Sequence, residues 1–419
     1  MLVEMSVTNF RSLRDTQTFS MIKGKGDELA DANSFELPAS QRFQLLRSAA
    51  IYGPNAGGKS NFLQALRAMK RVVLESAVGL QRGDRLPVTP FRLSAASRQA
   101  PSEFEVSFIV DGVRYQYGFS ATAERIHDEW LLAYPKGRPQ RWFGRVWDAE
   151  QNRYEWELGN NLAGEKQLWQ KSTRDNALFL STAVQLNSEQ LQPIFDWFKT
   201  TLRLANVGGW SPSFSASLCE HAAKAKVMDF LHAADIHIDD ILVETKPFEL
   251  GALPNDMPDA LRTAIAEDMA DKKVVELKTV HKDSEGNAIT FDFDDESDGT
   301  RKLFAFAGPW IDALDNGYVL FIDELHDNLH PALVRFLVEL FHGRDSNPKN
   351  AQLIFTTHET SILNQDVFRR DQIWFCDKDQ YQATTLYPLT DFSPRKGREN
   401  LELAYLSGRY GAVPFIGRH

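Results

Sequence analysis

The chain has 419 residues, of which 43% are hydrophobic and 25% charged, and its 47 Lys and Arg against 57 Asp and Glu give a formal net charge of −10. This composition is typical of a folded globular protein and argues against a generally basic nucleic-acid coat, although a local basic groove remains compatible with it. No apolar run approaches the ~20 residues that span a bilayer, and Arg11 stands where a signal peptide has its apolar core. With only two cysteines, the sequence predicts a protein of the reducing cytoplasm. The length of 419 residues predicts two or three domains, or one large domain with an insertion.

The spacing of apolar residues predicts the elements in chain order. Residues 1–10 alternate and predict an opening strand, whereas 21–41 are polar and predict a loop. Residues 48–52 (SAAIY) predict a buried strand that leads into a glycine-rich turn, and 61–77 have helical spacing. Short alternating strands over 102–158, with an Asp-Gly hairpin signal, then predict an antiparallel β-lobe.

The second half of the chain alternates between helical and strand patterns. Residues 246–283 are mixed in pattern and are expected to be helical in part, and the basic tail from 391 onward is expected to form a loop. Helices are predicted over 189–202, 217–234, 300–314 and 331–341, and strands over 287–293, 318–322, 352–356, 372–376 and 382–386.

Residues 53–60 (GPNAGGKS) satisfy the Walker A pattern GxxxxGK[ST] between a predicted strand and a predicted helix. Glycines let the backbone N–H groups of such a loop point at phosphate oxygens, and the following helix adds its positive N-terminus. Lys59 is expected to reach the β- and γ-phosphates of ATP, and the Ser60 hydroxyl to bind Mg²⁺. The residues predicted to hold the nucleotide here are Gly53, Pro54, Asn55, Ala56, Gly57, Gly58, Lys59, Ser60 and Asn61.

Residues 318–324 (YVLFIDE) form an apolar strand that ends in two acids, as in a Walker B motif. Asp323 is predicted to hold Mg²⁺ through water, and Glu324 to orient or deprotonate the attacking water. Charges confined to the end of a buried strand indicate a site at the carboxyl edge of a parallel sheet. Glu324 and Lys59 are therefore candidate catalytic residues.

Three further segments resemble parts of ABC-type ATPases. The SDGT segment at 297–300 precedes a predicted helix and resembles the signature motif, which implies that Ser297 and Gly299 bind the γ-phosphate held by a partner subunit. The strand 353–359 (LIFTTHE) ends in a histidine, and the resemblance implies that His358 contacts the γ-phosphate and acts in catalysis. The loop at 325–331 occupies the place of the segment that touches the opposite subunit in ABC-type dimers.

The order of phosphate loop, long insertion, signature, carboxylate strand and histidine resembles the ATPase heads of the SMC and RecF kind over roughly residues 1–75 and 290–375. The resemblance implies that Arg11, in the NFRSL segment, lies over the nucleotide and that Gln185 senses Mg²⁺. Only ~230 residues without heptads separate the loop from the signature, too few for coiled-coil arms. The tail 395–417 resembles that of compact ATPases of RloA-like, AbiL-like and PARIS-like anti-phage systems.

The predicted fold class is α/β: a P-loop ABC-type ATPase head with a mixed sheet, an antiparallel β-lobe and an inserted helical region without a long coiled coil. Four parts are expected, with the ATPase head assembled from the two ends of the chain. They are the N-terminal half of the head (1–100), the β-lobe (101–160), the mainly helical insertion (161–285) and the C-terminal half of the head (286–419).

The resemblance implies an ATP hydrolase with ATP and Mg²⁺ as cofactors, which dimerises around ATP and acts as a switch or sensor. The expected partners are one or more copies of the chain with ATP at the interface and a separate nuclease or toxin effector, with no membrane. The alternative is a RecF- or SMC-like repair clamp that binds duplex DNA through a basic face. The candidates for that face are Lys136, Arg138, Arg141 and Arg145.

Overall fold

The computed structural model describes residues 1–37, 41–205, 210–247, 258 and 273–414. The chain forms two compact units: unit 1 comprises Met1–Val207, Ala313–Asp327 and Val334–His419, and unit 2 comprises Gly208–Asp312 and Asn328–Leu333. Among the described residues, no helix is both long and apolar enough to cross a membrane. The predicted four-part division of the chain stays a prediction.

The strands follow the apolar alternation of the sequence closely. In chain order they are β1 (Leu2–Thr8), β2 (Gln17–Ser20), β3 (Ser34–Phe35), β4 (Leu45–Leu46), β5 (Ser48–Tyr52), β6 (Ser102–Val110), β7 (Val113–Ala121), β8 (Ile126–Tyr134), β9 (Gln140–Asp148), β10 (Arg153–Leu158), β11 (Leu202–Leu204), β12 (Asp240–Pro247), β13 (Lys273–Lys282), β14 (Ala288–Asp292), β15 (Val319–Ile322), β16 (Gln352–Thr356), β17 (Ile373–Lys378) and β18 (Thr384–Pro388).

Most of the helices are short. They are α1 (Ala30–Asn33), α2 (Lys59–Glu75), α3 (Ala95–Gln99), α4 (Lys166–Ser172), α5 (Phe179–Gln185), α6 (Gln192–Asp196), α7 (Ser213–Cys219), α8 (Lys224–Ala233), α9 (Asp298–Asn316), α10 (Pro331–His342) and α11 (Leu401–Leu406), with a π-helix (Trp197–Thr201) after α6. Within the described ranges the longest is α9, with 19 residues, and no long coiled coil is present, as predicted.

An antiparallel sheet of seven strands in unit 1 has the order β10-β9-β8-β7-β6-β1-β2. The predicted β-lobe is confirmed, but it is not a separate sheet, because the opening strand β1 pairs with β6 from Leu2↔Phe108 to Thr8↔Glu103. The alternating buried residues of β1 explain this pairing, since they complete the apolar face that β6 and β7 present to the core.

A mixed sheet of six strands in unit 1 has the order β11-β15-β16-β5-β17-β18. All its neighbouring pairs except β17 and β18 are parallel, and β5 and β16 are buried along their whole length. Near-continuous apolar runs are expected for such central parallel strands. Strand β5, which precedes the glycine-rich loop, therefore lies between β16, which ends near His358, and β17, which ends at Lys378. Because the three strands are parallel, their carboxyl ends lie at one edge of the sheet.

Unit 2 contains α7, α8, most of α9 and an antiparallel sheet in the order β12-β13-β14. The Ser215 hydroxyl of α7 accepts a hydrogen bond from the backbone N–H of Gly308 in α9 (2.9 Å). Trp210 packs edge-on against Phe306 and Trp310. The bounds of the predicted helical insertion (161–285) stay a prediction, and the segment also contains β12 and β13, two strands that the sequence interpretation did not anticipate.

Several predicted boundaries differ from the observed ones. The helix predicted over 189–202 is interrupted by the π-helix, and the one over 217–234 is two helices. Of the segment predicted to be helical in part, 248–257 and 259–272 lie outside the described residues, and its described ends are strands. The tail beyond 391 is not wholly a loop, because α11 forms there and buries Leu401 and Tyr405.

Candidate functional site

The loop between β5 and α2 follows the Walker A pattern and is tightly packed beneath. Gly58 has φ +113°, a conformation that side chains rarely adopt, and a Cβ there would collide with the side chain of Thr384. A Cβ on Gly53 would collide with the carbonyl oxygen of Cys376. These two glycines therefore allow the loop to lie directly against β17 and β18, the strands next to it.

Side-chain hydrogen bonds fix this loop to the N-terminal turn and to β18. The buried Thr384 hydroxyl contacts the Gly57 carbonyl oxygen (3.1 Å) and the Ser12 hydroxyl (2.8 Å). Asn61, at the start of α2, donates to the same Ser12 hydroxyl (2.7 Å). The loop is thus held in shape by groups from two distant parts of the chain, which is how a preorganised binding site is built.

Lys59 is buried at the start of α2, and its ammonium is held by the loop itself. It donates to the carbonyl oxygens of Gly53 (2.9 Å) and Pro54 (3.1 Å), and it lies 3.1 Å from His358 Nε2. Burial lowers the pKa of Lys59 below its usual range, while the nearby Glu324 and Asp323 carboxylates oppose this shift. Burial, the Lys59 charge and His326 lower the pKa of His358 to about 4, so its imidazole is neutral near pH 7 and its Nε2 can accept from Lys59.

Asp323 and Glu324 follow β15, and Thr356 at the end of the neighbouring β16 orients both. The Thr356 hydroxyl donates to Asp323 Oδ1 (2.6 Å) and accepts from the backbone N–H of Glu324 (2.8 Å). Glu324 has φ +55°, a sparsely populated backbone conformation for a residue with a side chain. Its side chain is exposed, whereas β15 behind it is fully buried. The acid pair is therefore set at the sheet edge by a neighbouring strand.

Lys59, Glu324 and His358 line one cavity of about 450 Å³ at the carboxyl edge of the mixed sheet, which we call the phosphate cavity. Its wall combines loop residues 55–61 with Glu324, His358 and Lys378. A buried lysine, the N-terminus of the 17-residue α2, a hydroxyl and a carboxylate suit an anionic phosphate chain with a hard divalent cation. The residues present therefore fit ATP and Mg²⁺.

Arg11 lines a second cavity of about 540 Å³, which we call the side cavity. Phe91 and Leu93 contribute apolar surface to it, and Asn61 and Lys378 line both this cavity and the phosphate cavity. Arg11 is exposed, has φ +51°, and its backbone N–H donates to the Thr89 carbonyl oxygen (2.8 Å). This placement next to the phosphate cavity agrees with the predicted role of Arg11, which stays a prediction.

The other predicted site residues lie elsewhere. Gln185 is exposed at the end of α5 and does not line the phosphate cavity. Ser297 and Gly299 belong to unit 2, where the Ser297 hydroxyl accepts from the backbone N–H of Thr300 (3.1 Å) at the start of α9. This bond is an ordinary helix cap. The roles of these three residues stay predictions.

The basic cluster proposed for DNA binding is wrong in one of its four members, Arg145. Arg145 is fully buried, forms an ion pair with Glu129 (3.1 Å) and lies 5.0 Å from the ring centre of Tyr154. Arg141 pairs with Glu157 on the sheet surface (3.0 Å). Alternation along β9 turns Arg145 into the core. Lys136 and Arg138 remain exposed at the turn between β8 and β9.

Sequence reasoning missed two residues of the site, Thr356 and Lys378. Each stands at the end of an apolar strand next to β5, Thr356 closing β16 and Lys378 closing β17. The rule that polar residues at the carboxyl ends of parallel strands form sites would have indicated both, but only with the strand order in hand.

Residues 48–364 match a family model described as "AAA domain, putative AbiEii toxin, Type IV TA system". Among curated proteins, none matches the chain. Solved structures similar to the chain include the SMC head domain from Thermotoga maritima, with 12% identity, a TM-score of 0.38, and 92% of this chain and 98% of that chain covered. The recombination mediator protein RecF is similar at 12% identity and a TM-score of 0.36, over 92% of this chain and 98% of that chain. An Smc head domain from Pyrococcus furiosus is similar at 11% identity and a TM-score of 0.40, over 93% of this chain and 97% of that chain.

Proposed function

The chain belongs to the family of AAA domains described as putative AbiEii toxin of a type IV TA system, and from this premise we propose that it binds and hydrolyses ATP with Mg²⁺. The family match covers the phosphate loop and the acid pair and confirms the prediction of an ABC-type P-loop ATPase. The observation that carries the proposal is the convergence of Lys59, Ser60, Glu324 and His358 on one cavity of about 450 Å³.

Each group in the phosphate cavity has a task in this proposal. The N–H groups of the loop and the Lys59 ammonium bind phosphate oxygens, while Ser60 and Asp323 hold the Mg²⁺. Bound Mg²⁺ neutralises negative charge on the phosphate chain. Glu324 takes a proton from water or orients it, and Thr356 keeps the neighbouring Asp323 carboxylate in place through its hydroxyl (2.6 Å).

The same proposal requires two copies of the chain. Ser297 and Gly299 of one copy would complete the ATP site of another, since they start the long helix α9 and its positive end suits an anion. ATP then favours the assembled state by mass action, and hydrolysis releases it. Such an equilibrium is a switch whose output is a change of assembly.

We assign this switch to anti-phage defence, in which it controls a separate nuclease or toxin effector. The family description, which refers to a toxin of a toxin–antitoxin system, supports this setting. The alternative is a DNA-repair clamp, for which Lys136 and Arg138 remain as exposed basic residues. Salt-dependent binding of duplex DNA that is lost in Lys136→Glu/Arg138→Glu would favour the clamp.

The central test compares wild type with Lys59→Ala and Glu324→Gln, using Glu75→Gln as the control because Glu75 is an exposed glutamate paired with Arg71. Lys59→Ala is expected to lose ATP binding in calorimetry. Glu324→Gln is expected to bind ATP, to release phosphate roughly 100-fold more slowly, and to stay assembled with ATP in analytical ultracentrifugation. Normal hydrolysis by Glu324→Gln would show that the assignment of the base is wrong, and a wild-type chain that does not bind ATP would refute the proposal.

A further inference from the structure

Lys378 is a second lysine at the candidate site, and the Walker motifs do not include it. We propose that its ammonium binds the α-phosphate of the nucleotide and so positions the phosphate chain between the two cavities. The inference rests on the proposed function, namely that the chain binds ATP in the phosphate cavity. It adds a binding group contributed by β17, a strand outside the motifs.

The backbone places Lys378 at the loop. Strand β17 runs parallel to β5 with Phe375 opposite Tyr52, so the next residues of both strands advance together toward the same sheet edge. The Cys376 carbonyl oxygen lies so close to Gly53 that a Cβ there would collide with it, and Cys376 Sγ lies 3.6 Å from the Gly57 carbonyl oxygen. Lys378 follows two residues later and lines the phosphate cavity.

The charge of Lys378 is not neutralised by its acidic neighbours. Asp377 accepts hydrogen bonds from the backbone N–H groups of Lys378 (2.8 Å) and Ala412 (2.9 Å), and Asp379 lies 3.4 Å from an Arg14 nitrogen. Alternation along the strand turns the Asp377 carboxylate away from the Lys378 side chain. Asp379 lies beyond the strand, and its carboxylate accepts from the backbone N–H groups of Tyr381 (2.8 Å) and Ala383 (2.9 Å). Across the described parts of the chain, the Lys378 ammonium has no hydrogen bond or ion pair. A half-buried lysine without a protein anion is available to an anionic ligand.

The position of Lys378 between the cavities selects the α-phosphate. Lys59 and Glu324 lie in the phosphate cavity, where the terminal phosphates belong, whereas Phe91 and Leu93 give the side cavity the apolar surface that a base requires. Lys378 lines both cavities. In a nucleoside triphosphate, the group that joins the phosphate chain to the nucleoside is the α-phosphate, and a charge-assisted bond to it would act on ATP and ADP alike.

The experiment measures binding of ATP and ADP, each with Mg²⁺, by calorimetry. Lys378→Met is expected to weaken both nucleotides by the same factor, roughly tenfold or more, because both carry the α-phosphate. Lys378→Arg keeps the charge and is expected to recover most of the affinity. The matched control is Lys349→Met, which removes an exposed lysine before β16, at the amino edge of the sheet opposite the site.

The outcomes separate this inference from the proposed function. If wild type binds ATP and Lys59→Ala does not, but Lys378→Met binds both nucleotides as wild type does, the assignment of Lys378 is refuted while the proposed function stands. A loss confined to ATP would also refute it, because it would indicate a γ-phosphate contact. The melting temperature without nucleotide is expected to be unchanged in Lys378→Met, and a variant that melts early is replaced by Lys378→Gln. A wild-type chain that binds neither nucleotide would refute the proposed function itself.

Discussion

Replacing Glu129 by glutamine is expected to destabilise the antiparallel sheet of unit 1 and the helix that it anchors. Glu129 in β8 stands directly opposite Arg145 in β9, and both side chains are fully buried. The Glu129 carboxylate also accepts from the backbone N–H groups of Phe179 (2.7 Å) and Leu180 (3.0 Å) and from the Tyr117 hydroxyl (3.1 Å). It thus caps α5, whose own N-cap residue provides no side-chain acceptor.

The magnitude follows from what the substitution leaves behind. Glutamine keeps the size of the side chain but leaves the Arg145 guanidinium without a counter-charge at 0% exposure. Breaking a buried ion pair in this way costs about 3–5 kcal/mol. The glutamine NH₂ group cannot accept, so one of the two N–H groups at the start of α5 also loses its acceptor. A loss of roughly 4 kcal/mol is therefore expected.

Urea unfolding followed by tryptophan fluorescence is the assay. At a slope of about 3 kcal/mol per M, the upper end for small proteins, this loss would lower the urea midpoint by roughly 1.3 M. The slope rises with chain length, so for 419 residues we expect a smaller shift, on the order of 1 M. The matched control is Glu157→Gln in the same sheet, where Glu157 pairs with Arg141 at 3.0 Å but is 63% exposed. Exposed pairs contribute about 0–1 kcal/mol, so the control is expected to unfold almost as wild type does.

A double variant sharpens the test. Glu129→Gln/Arg145→Met removes the unpaired charge, so it is expected to recover a large part of the loss of the single variant. The reasoning from a buried charge pair is refuted by either of two results. One is a free energy of unfolding for Glu129→Gln within about 1 kcal/mol of the wild-type value, and the other is a double variant that loses more stability than its two single variants lose together.

Three further predictions concern the core and the loop. Burial and then the nearby Arg47 charge lower the pKa of His342 to about 3, below its usual ~6.5. Because the unfolded chain takes up the proton first, the free energy of unfolding is expected to fall with decreasing pH between these values, by up to about 1.4 kcal/mol per pH unit. The urea midpoint of His342→Gln should therefore change less with pH than that of wild type. Thr384→Val leaves the buried Gly57 carbonyl oxygen without its hydroxyl partner and is expected to cost about 1–3 kcal/mol in the same assay. Gly58→Ala should abolish ATP binding in calorimetry, whereas Gly83→Ala, also at positive φ but in open space, should retain it; equal binding by both would contradict the loop packing.

Much of this molecule could be predicted from local sequence patterns. The predicted bounds of β5, β15 and β16 agree with the observed ones almost to the residue. Short, nearly unbroken apolar runs are typical of parallel strands that are buried on both faces. The phosphate loop and the acid pair could be proposed from local sequence because both motifs are contiguous and their chemistry fixes their spacing. Both lie within the matched residues 48–364, and the roles of their residues stay predictions. The π-helix and α11 were missed because short helices have weak periodicity.

Tertiary structure decided what depends on strand order and on which face a side chain takes. Arg145 and Arg141 are four residues apart in one basic stretch, yet one is buried against Glu129 and the other is exposed, because a bulge shifts the register of β9 against β8 between them. Lys378 and Thr356 lie at the site because β17 and β16 flank β5, and the sequence does not show this strand order. Composition and periodicity determine that a residue ends a strand. Which strand lies next to it is determined by long-range packing, which no local pattern contains.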